Sequence, residues 1–188
     1  NNQKYIDVIE KCDTYIIDFQ GEPIVTKFEF LKALAIARVY GFKEYEKALT
    51  FIKLNYSSTI EGKEAERILD EVLPTVKNDR FLKNDLSDNY KIVYQFDTVS
   101  NSDIDSQITK LKKYIDKVDY LDLTVSEDFY NNIITFVVVH GLKSYDGSLG
   151  LAERLENSID IQAKSFFVIS TDNYKTIQIH KNLDKFEK

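Results

Sequence analysis

Two hydrophobic periods divide this chain of 188 residues. Up to about residue 74, apolar side chains recur every three to four positions, the spacing that puts them on one face of an α-helix. Tyr5, Ile6, Ile9, Cys12, Tyr15 and Ile16 predict a helix over residues 3–18, closed by Gly21-Glu22-Pro23. Phe30, Leu31, Leu34, Ile36 and Ala37 predict a second over 26–40, with Gly41 where a helix C-terminal glycine belongs. Tyr45, Ala48, Leu49, Phe51 and Ile52 predict a third over 43–55. Ser57-Ser58-Thr59 ends it and caps a fourth over 61–73, which carries Ala65, Ile68, Leu69 and Val72 and is stopped by Pro74. Beyond residue 90 four apolar, aromatic runs of strand length follow, at 91–97, 120–126, 132–140 and 165–170. Between them Ile104, Ile108, Leu111 and Ile115 stripe a helix over 101–117, and Leu149, Ala152 and Leu155, with Ile159 after them, a helix over 145–158. Asn131-Asn132 reads as the hairpin turn between strands two and three. Thr171-Asp172 caps a final helix to Phe186, with Ile179, Leu183 and Phe186 on one face.

The order strand-helix-strand-strand-helix-strand-helix is that of a split β-α-β, ferredoxin-like sandwich, a platform used for many unrelated tasks. The predicted fold is therefore α+β. Residues 1–74 form a helical segment, the polar stretch 75–89 a linker, and residues 90–188 a ferredoxin-like sandwich with an extra C-terminal helix. Within the helical segment, Ala37-x-x-Tyr40 and Ala48-x-x-x-Ile52 match half of a tetratricopeptide pattern, in which small residues let two helices approach and larger ones fill the next groove. An ordinary helical hairpin fits the same residues. A lone repeat cannot bury its own face, so upstream chain or the C-terminal domain is expected to cover it. The third strand raises a similar question. Ile133, Val137 and Val139 point one way and Ile134, Phe136 and Val138 the other, so both faces call for cover. Two crossover helices cover only one face. The final helix is expected on the second, with another protein or domain as the alternative.

Composition narrows the function. Hydrophobic residues make up 43% and aromatics 13% of the chain, enough for a packed core. The net charge is −6 and neither half is basic, which argues against nucleic acid as a partner. The aromatic strand residues Tyr94, Phe96 and Phe136 recur where RNA-recognition modules stack bases, but the basic-Gly-aromatic core of such modules is missing, and core packing is the expected role. Of two histidines, His140 ends a strand and His180 lies one helical turn from Asp184; neither belongs to a set with metal-ligand spacing. The lone Cys12 sits on an apolar stripe and reads as a buried, inert thiol. Glu10-Lys11 before it is not a lipidation signal. Gly147-Ser148-x-Gly150 lacks phosphate-loop spacing and reads as a loop-to-helix transition. These residues assign no catalytic, cofactor-binding or metal site, and the expected protein is not an enzyme and needs no cofactor. Tyr94, Phe96, Phe136 and Val138 are the candidate partner-interface residues. No run approaches the roughly 20 apolar residues of a membrane span. A chain that begins at Asn1 and contains no methionine is expected to be a fragment of a longer protein, or a processed one.

Three stretches carry a family resemblance. Residues 40–69 (YGFKEYEKALTFIKLNYSSTIEGKEAERIL) resemble the repeat ends of tetratricopeptide lipoproteins of Bacteroidetes, in which a Tyr-Pro-x-[ST] stretch precedes an E-G-K-x-A-x-x-[IL]-L helix; Ser57 stands here at the usual proline. Residues 90–142 resemble that family's tail, and residues 166–185 (FFVISTDNYKTIQIHKNLDK) are similar to its closing segment. The match is to the C-terminal part of PorW/SprE-type lipoproteins of the type IX secretion and gliding-motility apparatus. It implies a periplasmic, outer-membrane-associated scaffold whose partners are other protein components of that machine. It carries no catalytic residues, and membrane attachment would come through a lipidated cysteine upstream. The strand order and the segment Tyr90-Lys91-Ile92-Val93-Tyr94-Gln95-Phe96 also look like sporulation-related repeat domains, which implies peptidoglycan as an alternative ligand. The Gly-x-Phe elements of those domains are absent, and His140-Gly141-Leu142 stands at the second.

Overall fold

A computed structural model describes residues 4–83, 87–98, 101–117 and 122–186. The protein is α+β, with helices and a four-stranded antiparallel sheet. It divides into two compact units, residues 1–80 with 176–188, and residues 81–175.

In the first unit, α1 (Tyr5–Asp18), α2 (Val25–Tyr40), α3 (Phe42–Asn55) and α4 (Ile60–Arg67) pack each on the next. Ala33, Phe42, Leu49, Ile52, Ala65, Ile68 and Leu73 form the core. Gly41 is the whole connection between α2 and α3, with φ 80°. That conformation suits glycine, and a Cβ there would lie 2.7 Å from Lys181 Cγ and 2.8 Å from the Ile179 carbonyl oxygen. Thr59 caps α4 as expected: its Oγ1 accepts the Gly62 N–H at 3.0 Å.

Pro74 does not stop the fourth helix. The chain passes from α4 through a π-helical turn, Ile68–Val72, into α5 (Leu73–Val76), where Pro74 sits in the first turn. Proline lacks the N–H that a first turn leaves unbonded anyway, and the wider π turn before it gives its ring room.

The final helix is not continuous either. It is α8 (Thr171–His180) and α9 (Leu183–Phe186), broken at Lys181, which takes φ 51°. The break ends the one-turn relation between His180 and Asp184. His180 instead donates through Nε2 to the Val76 carbonyl at 2.9 Å, and its ring lies 5.2 Å from that of Phe42. Lys185 pairs with Asp79 at 2.8 Å. These contacts place residues from Thr176 onward with the first unit, whereas hydrophobic spacing alone assigns them to the sheet domain.

The second unit holds β1 (Tyr90–Asp97), α6 (Asn101–Ile115), β2 (Thr124–Phe129), β3 (Ile134–Leu142), α7 (Tyr145–Ser158), β4 (Ser165–Ser170) and the first turn of α8. The strand order is β2-β3-β1-β4, every pair antiparallel. β2 lies later than the apolar run at 120–126 suggests. Its register follows from the hairpin: Asn131 Oδ1 accepts the N–H groups of Ile133 and Ile134, and Phe129 then pairs with Thr135 and Thr124 with His140. Residues 120 and 121 lie outside the described residues.

Alternation along the strands sorts the core. Tyr90, Ile92, Tyr94 and Phe96 of β1 share a face with Val137, Val139 and Val168, packed with Ile104, Leu111 and Ile115 of α6 and Leu151, Ala152 and Leu155 of α7. The second face of β3 is also closed. The Phe136 ring stacks on Tyr130 at 4.7 Å and meets Phe167 at 6.0 Å and Tyr174 at 6.2 Å. Tyr174 comes from α8, the helix expected there.

Among the described residues the Tyr94 hydroxyl is one of four buried side-chain polar atoms without a hydrogen-bond partner, the others being Gln107 Oε1, Thr171 Oγ1 and Asn182 Oδ1. Burial pushes this phenol far above its usual range, so it stays protonated. An unsatisfied buried donor carries a desolvation penalty of about 1–3 kcal/mol. Tyr94→Phe is therefore expected to stabilise the protein by about 1 kcal/mol, read as a rise in the urea midpoint. A lower midpoint would mean the hydroxyl is bonded after all.

Candidate functional site

Tyr94, Phe96, Phe136 and Val138, read on sequence as partner-interface residues, are 0%, 4%, 0% and 0% exposed. They are core. Tyr94 and Phe96 belong to the layer under α6 and α7, and Phe136 to the aromatic cluster with Tyr174. A partner would reach them only by opening the sheet, so a docking surface has to be sought elsewhere. Cys12 is buried, and burial together with the Asp13 charge pushes its thiol up against the opposing effect of Lys32, which disfavours the reactive thiolate. The Gly147-Ser148 segment opens α7: Ser144 Oγ accepts the Gly147 N–H at 3.2 Å, and the buried Ser148 hydroxyl donates to the Ser144 carbonyl.

The first unit carries a groove of about 570 Å³ along α1, α2 and α3. Its apolar lining includes Ile9, Ala33, Ile36 and Ala48. The two alanines create the depression, because a larger side chain at either would fill it. Tyr40 and Phe51 stand in the groove 49% and 47% exposed. Charges of both signs accompany them. Lys32 pairs with Asp13, and Lys47 with Glu44 at 2.6 Å. Burial pushes the Glu29 carboxyl up; Lys32 opposes this and Asp13 adds to it. An apolar lining with balanced charge fits the apolar face of an amphipathic helix. Ala48 and Tyr40 came from the repeat pattern. Ile9, Ile36 and Phe51 were legible only as core. The available signal was excess: residues 30–37 of α2 are apolar on more than one face, and Leu31 and Leu34 are exposed too.

The second unit holds a polar chain that no sequence spacing suggested. Lys91 Nζ lies 3.0 Å from His140 Nδ1, and His140 Nε2 lies 2.7 Å from Ser126 Oγ. Ser126 donates to Asp128 Oδ1 at 2.9 Å, and the Tyr174 hydroxyl to Asp128 Oδ2 at 2.6 Å. Strand register explains the meeting. Ser126 and Asp128 share a face of β2, and Thr124, on that same face, pairs with His140. Burial pushes His140 down, Lys91 adds to this and Asp128 opposes it, so the ring is neutral at neutral pH. Burial also lowers Lys91. The protons then run one way. Lys91 donates to Nδ1, Nε2–H donates to Ser126, and Ser126 donates to Asp128. A nucleophilic serine needs the reverse, with its proton facing the imidazole and the carboxylate behind the histidine. The chain serves instead to tie β1, β2, β3 and α8 together.

Among the described residues no group of three or more His, Cys, Asp or Glu side chains is placed to hold a metal ion, and no helix is long and apolar enough to cross a membrane. Comparison with protein families, with curated proteins and with solved structures finds no match to this chain.

Proposed function

We propose that this chain is a non-catalytic periplasmic scaffold that links protein components of the type IX secretion and gliding machinery, as part of an outer-membrane lipoprotein of the tetratricopeptide class. The observation that carries the docking role is the groove along α1–α3, with its apolar lining and the half-exposed Tyr40 and Phe51. The successive packing of α1, α2, α3 and α4 supports a tetratricopeptide-like reading of the first unit. The strand order β2-β3-β1-β4, with α6 and α7 as crossovers, supports a ferredoxin-like reading of the second. The assignment to this machine rests on the resemblance of residues 40–69, 90–142 and 166–185. In this reading, membrane attachment comes through an anchor outside residues 1–188.

The alternative is a peptidoglycan-binding module, which shares the strand order. The sheet argues for the scaffold, because both faces of β3 are already buried and leave no open platform for glycan.

The test is affinity purification of the tagged full-length protein from its native envelope, with Tyr40→Glu and Phe51→Glu combined as the variant. Both side chains are about half exposed, so stability is expected to change by about 1 kcal/mol or less. The wild type should recover secretion-machine components and the variant should lose them. Equal recovery by both would remove the groove from the reading. If the wild type recovers purified peptidoglycan and no machine component, the alternative replaces the scaffold.

A further inference from the structure

The proton order that disqualifies Ser126 as a nucleophile suits the group at the other end of the polar chain, the Lys91 amine. A β-bulge sets the arrangement up. Tyr90 pairs with Leu142 and Ile92 with Val139, so two residues of β3, His140 and Gly141, oppose the single Lys91. Gly141 takes φ 93°, and a Cβ there would lie 2.3 Å from the Asp122 carbonyl oxygen, so the bulge needs glycine. His140 Nδ1 comes to 3.0 Å from Lys91 Nζ. On the far side of the ring, Nε2–H meets Ser126, and Ser126 meets Asp128. The imidazole therefore presents its unprotonated nitrogen to an amine, with a carboxylate relayed behind it. That is a base positioned to accept a proton from Lys91. Lys91 and His140 are both partly exposed, so a small reagent can reach them.

We infer that Lys91 is a site of reversible carbamylation by carbon dioxide, with His140 taking up the released proton. This goes beyond the docking reading and does not depend on it. The amine lone pair adds to the carbon of CO2. An N–C bond forms, and the C=O double bond under attack opens to a carboxylate oxygen. The proton leaving nitrogen passes to His140 Nδ1, and no leaving group is needed. The product is a carbamate anion beside an imidazolium, whose Nδ1–H can donate to a carbamate oxygen. An acyl donor would instead leave a neutral amide, which gives the imidazolium no counter-charge. CO2 is also small enough for a half-buried amine.

The surroundings support both partners. Burial lowers the Lys91 ammonium, Lys175 of α8 adds to this, and Asp128 of β2 opposes it. Lys91 therefore holds a larger share of neutral amine at a given pH than an exposed lysine, and only the amine adds CO2. α8 also supplies Tyr174, whose ring lies 5.7 Å from Lys91 Nζ and whose hydroxyl holds Asp128. Burial and the Lys91 charge keep His140 neutral, the form that accepts a proton. Carbamylation replaces that positive charge with an anion, which favours the imidazolium. Lys175 likewise favours the carbamate, and Asp128 the imidazolium.

Carbon-13 NMR of the whole chain with labelled bicarbonate, followed by trapping with triethyloxonium and peptide mass spectrometry, tests this. Expected is one saturable carbamate resonance, with the trapped ester on Lys91. Lys91→Met should abolish it, and Lys47→Met, on an exposed lysine of α3, should leave it unchanged. At fixed dissolved CO2, occupancy should rise with pH to a half-point below the ordinary lysine value of about 10.4. His140→Gln removes the charged partner and should lower occupancy at least about tenfold, the effect of losing one charge-assisted hydrogen bond. The urea midpoint of each variant, measured alongside, separates that loss from unfolding. No carbamate at saturating bicarbonate, label spread evenly over the exposed lysines, or unchanged occupancy in a folded His140→Gln would each overturn the site. If Lys91→Met or His140→Gln does not fold, the position of the label in the wild type and its pH profile decide.

Discussion

Gly62→Ala is expected to destabilise the first unit by about 3 kcal/mol or more, although alanine is the better helix former by about 1 kcal/mol. A Cβ on Gly62 would lie 1.9 Å from the Tyr56 carbonyl oxygen and 2.5 Å from its carbon. Neither side can yield cheaply. That carbonyl accepts the Thr59 N–H at 2.9 Å and the Thr59 hydroxyl at 2.8 Å, and Thr59 Oγ1 in turn accepts the Gly62 N–H. Moving α4 away breaks the cap, worth about 1 kcal/mol, and lifts Ala65 and Ile68 from the core that they share with Leu49 and Ile52. Urea unfolding followed by circular dichroism measures the loss. Gly150→Ala is the matched control: it sits in α7 with nothing within 4 Å of an added Cβ, and is expected to be neutral or stabilising by up to about 1 kcal/mol. Equal effects at the two glycines would show that Tyr56 does not constrain Gly62.

Phe136→Ala is expected to cost about 3–5 kcal/mol, the range for emptying a fully buried aromatic site. The ring is 0% exposed and contacts Tyr130, Phe167 and Tyr174, so its loss leaves a cavity bounded by three rings that cannot collapse together. The Tyr174 hydroxyl is meanwhile held by Asp128 at 2.6 Å, which keeps the α8 turn in place and the cavity open. Ile133→Ala, three residues earlier and 60% exposed, should change stability by about 0.5 kcal/mol or less. If Phe136→Ala proved as mild, or if binding of a partner fell while stability held, Phe136 would be an interface residue as its aromatic character first suggested.

That last contrast shows where sequence reasoning reached its limit. An aromatic residue on a strand looks the same whether it feeds a core or a partner, because alternation reports which side chains share a face and not what lies opposite. The same limit hid the groove: Phe51 and Ile36 carry helical spacing like Leu49 and Ile52, yet the first two line an opening and the others are buried. Local signals with a local cause fared better. The Thr59 cap, the Gly41 turn and the Asn131 hairpin act through bonds a few residues long, and each stands where the chain spelled it. Pro74 misled because the accommodating π turn depends on packing rather than on any residue type. The Lys91–His140–Ser126–Asp128 chain joins three strands through register, and no linear spacing encodes it.

The sequence by itself determined the order of helices and strands, the acidic charge and the small residues that let α2 and α3 approach. These follow from periodicity and composition, which are properties of neighbouring residues. Tertiary structure alone decided that Tyr94, Phe96, Phe136 and Val138 are interior, that Tyr40 and Phe51 are accessible, and that residues from Thr176 onward pack with the first helices. The physical reason is that burial is a relation between distant segments: a side chain becomes core or surface only when another part of the chain arrives, or fails to arrive, against it.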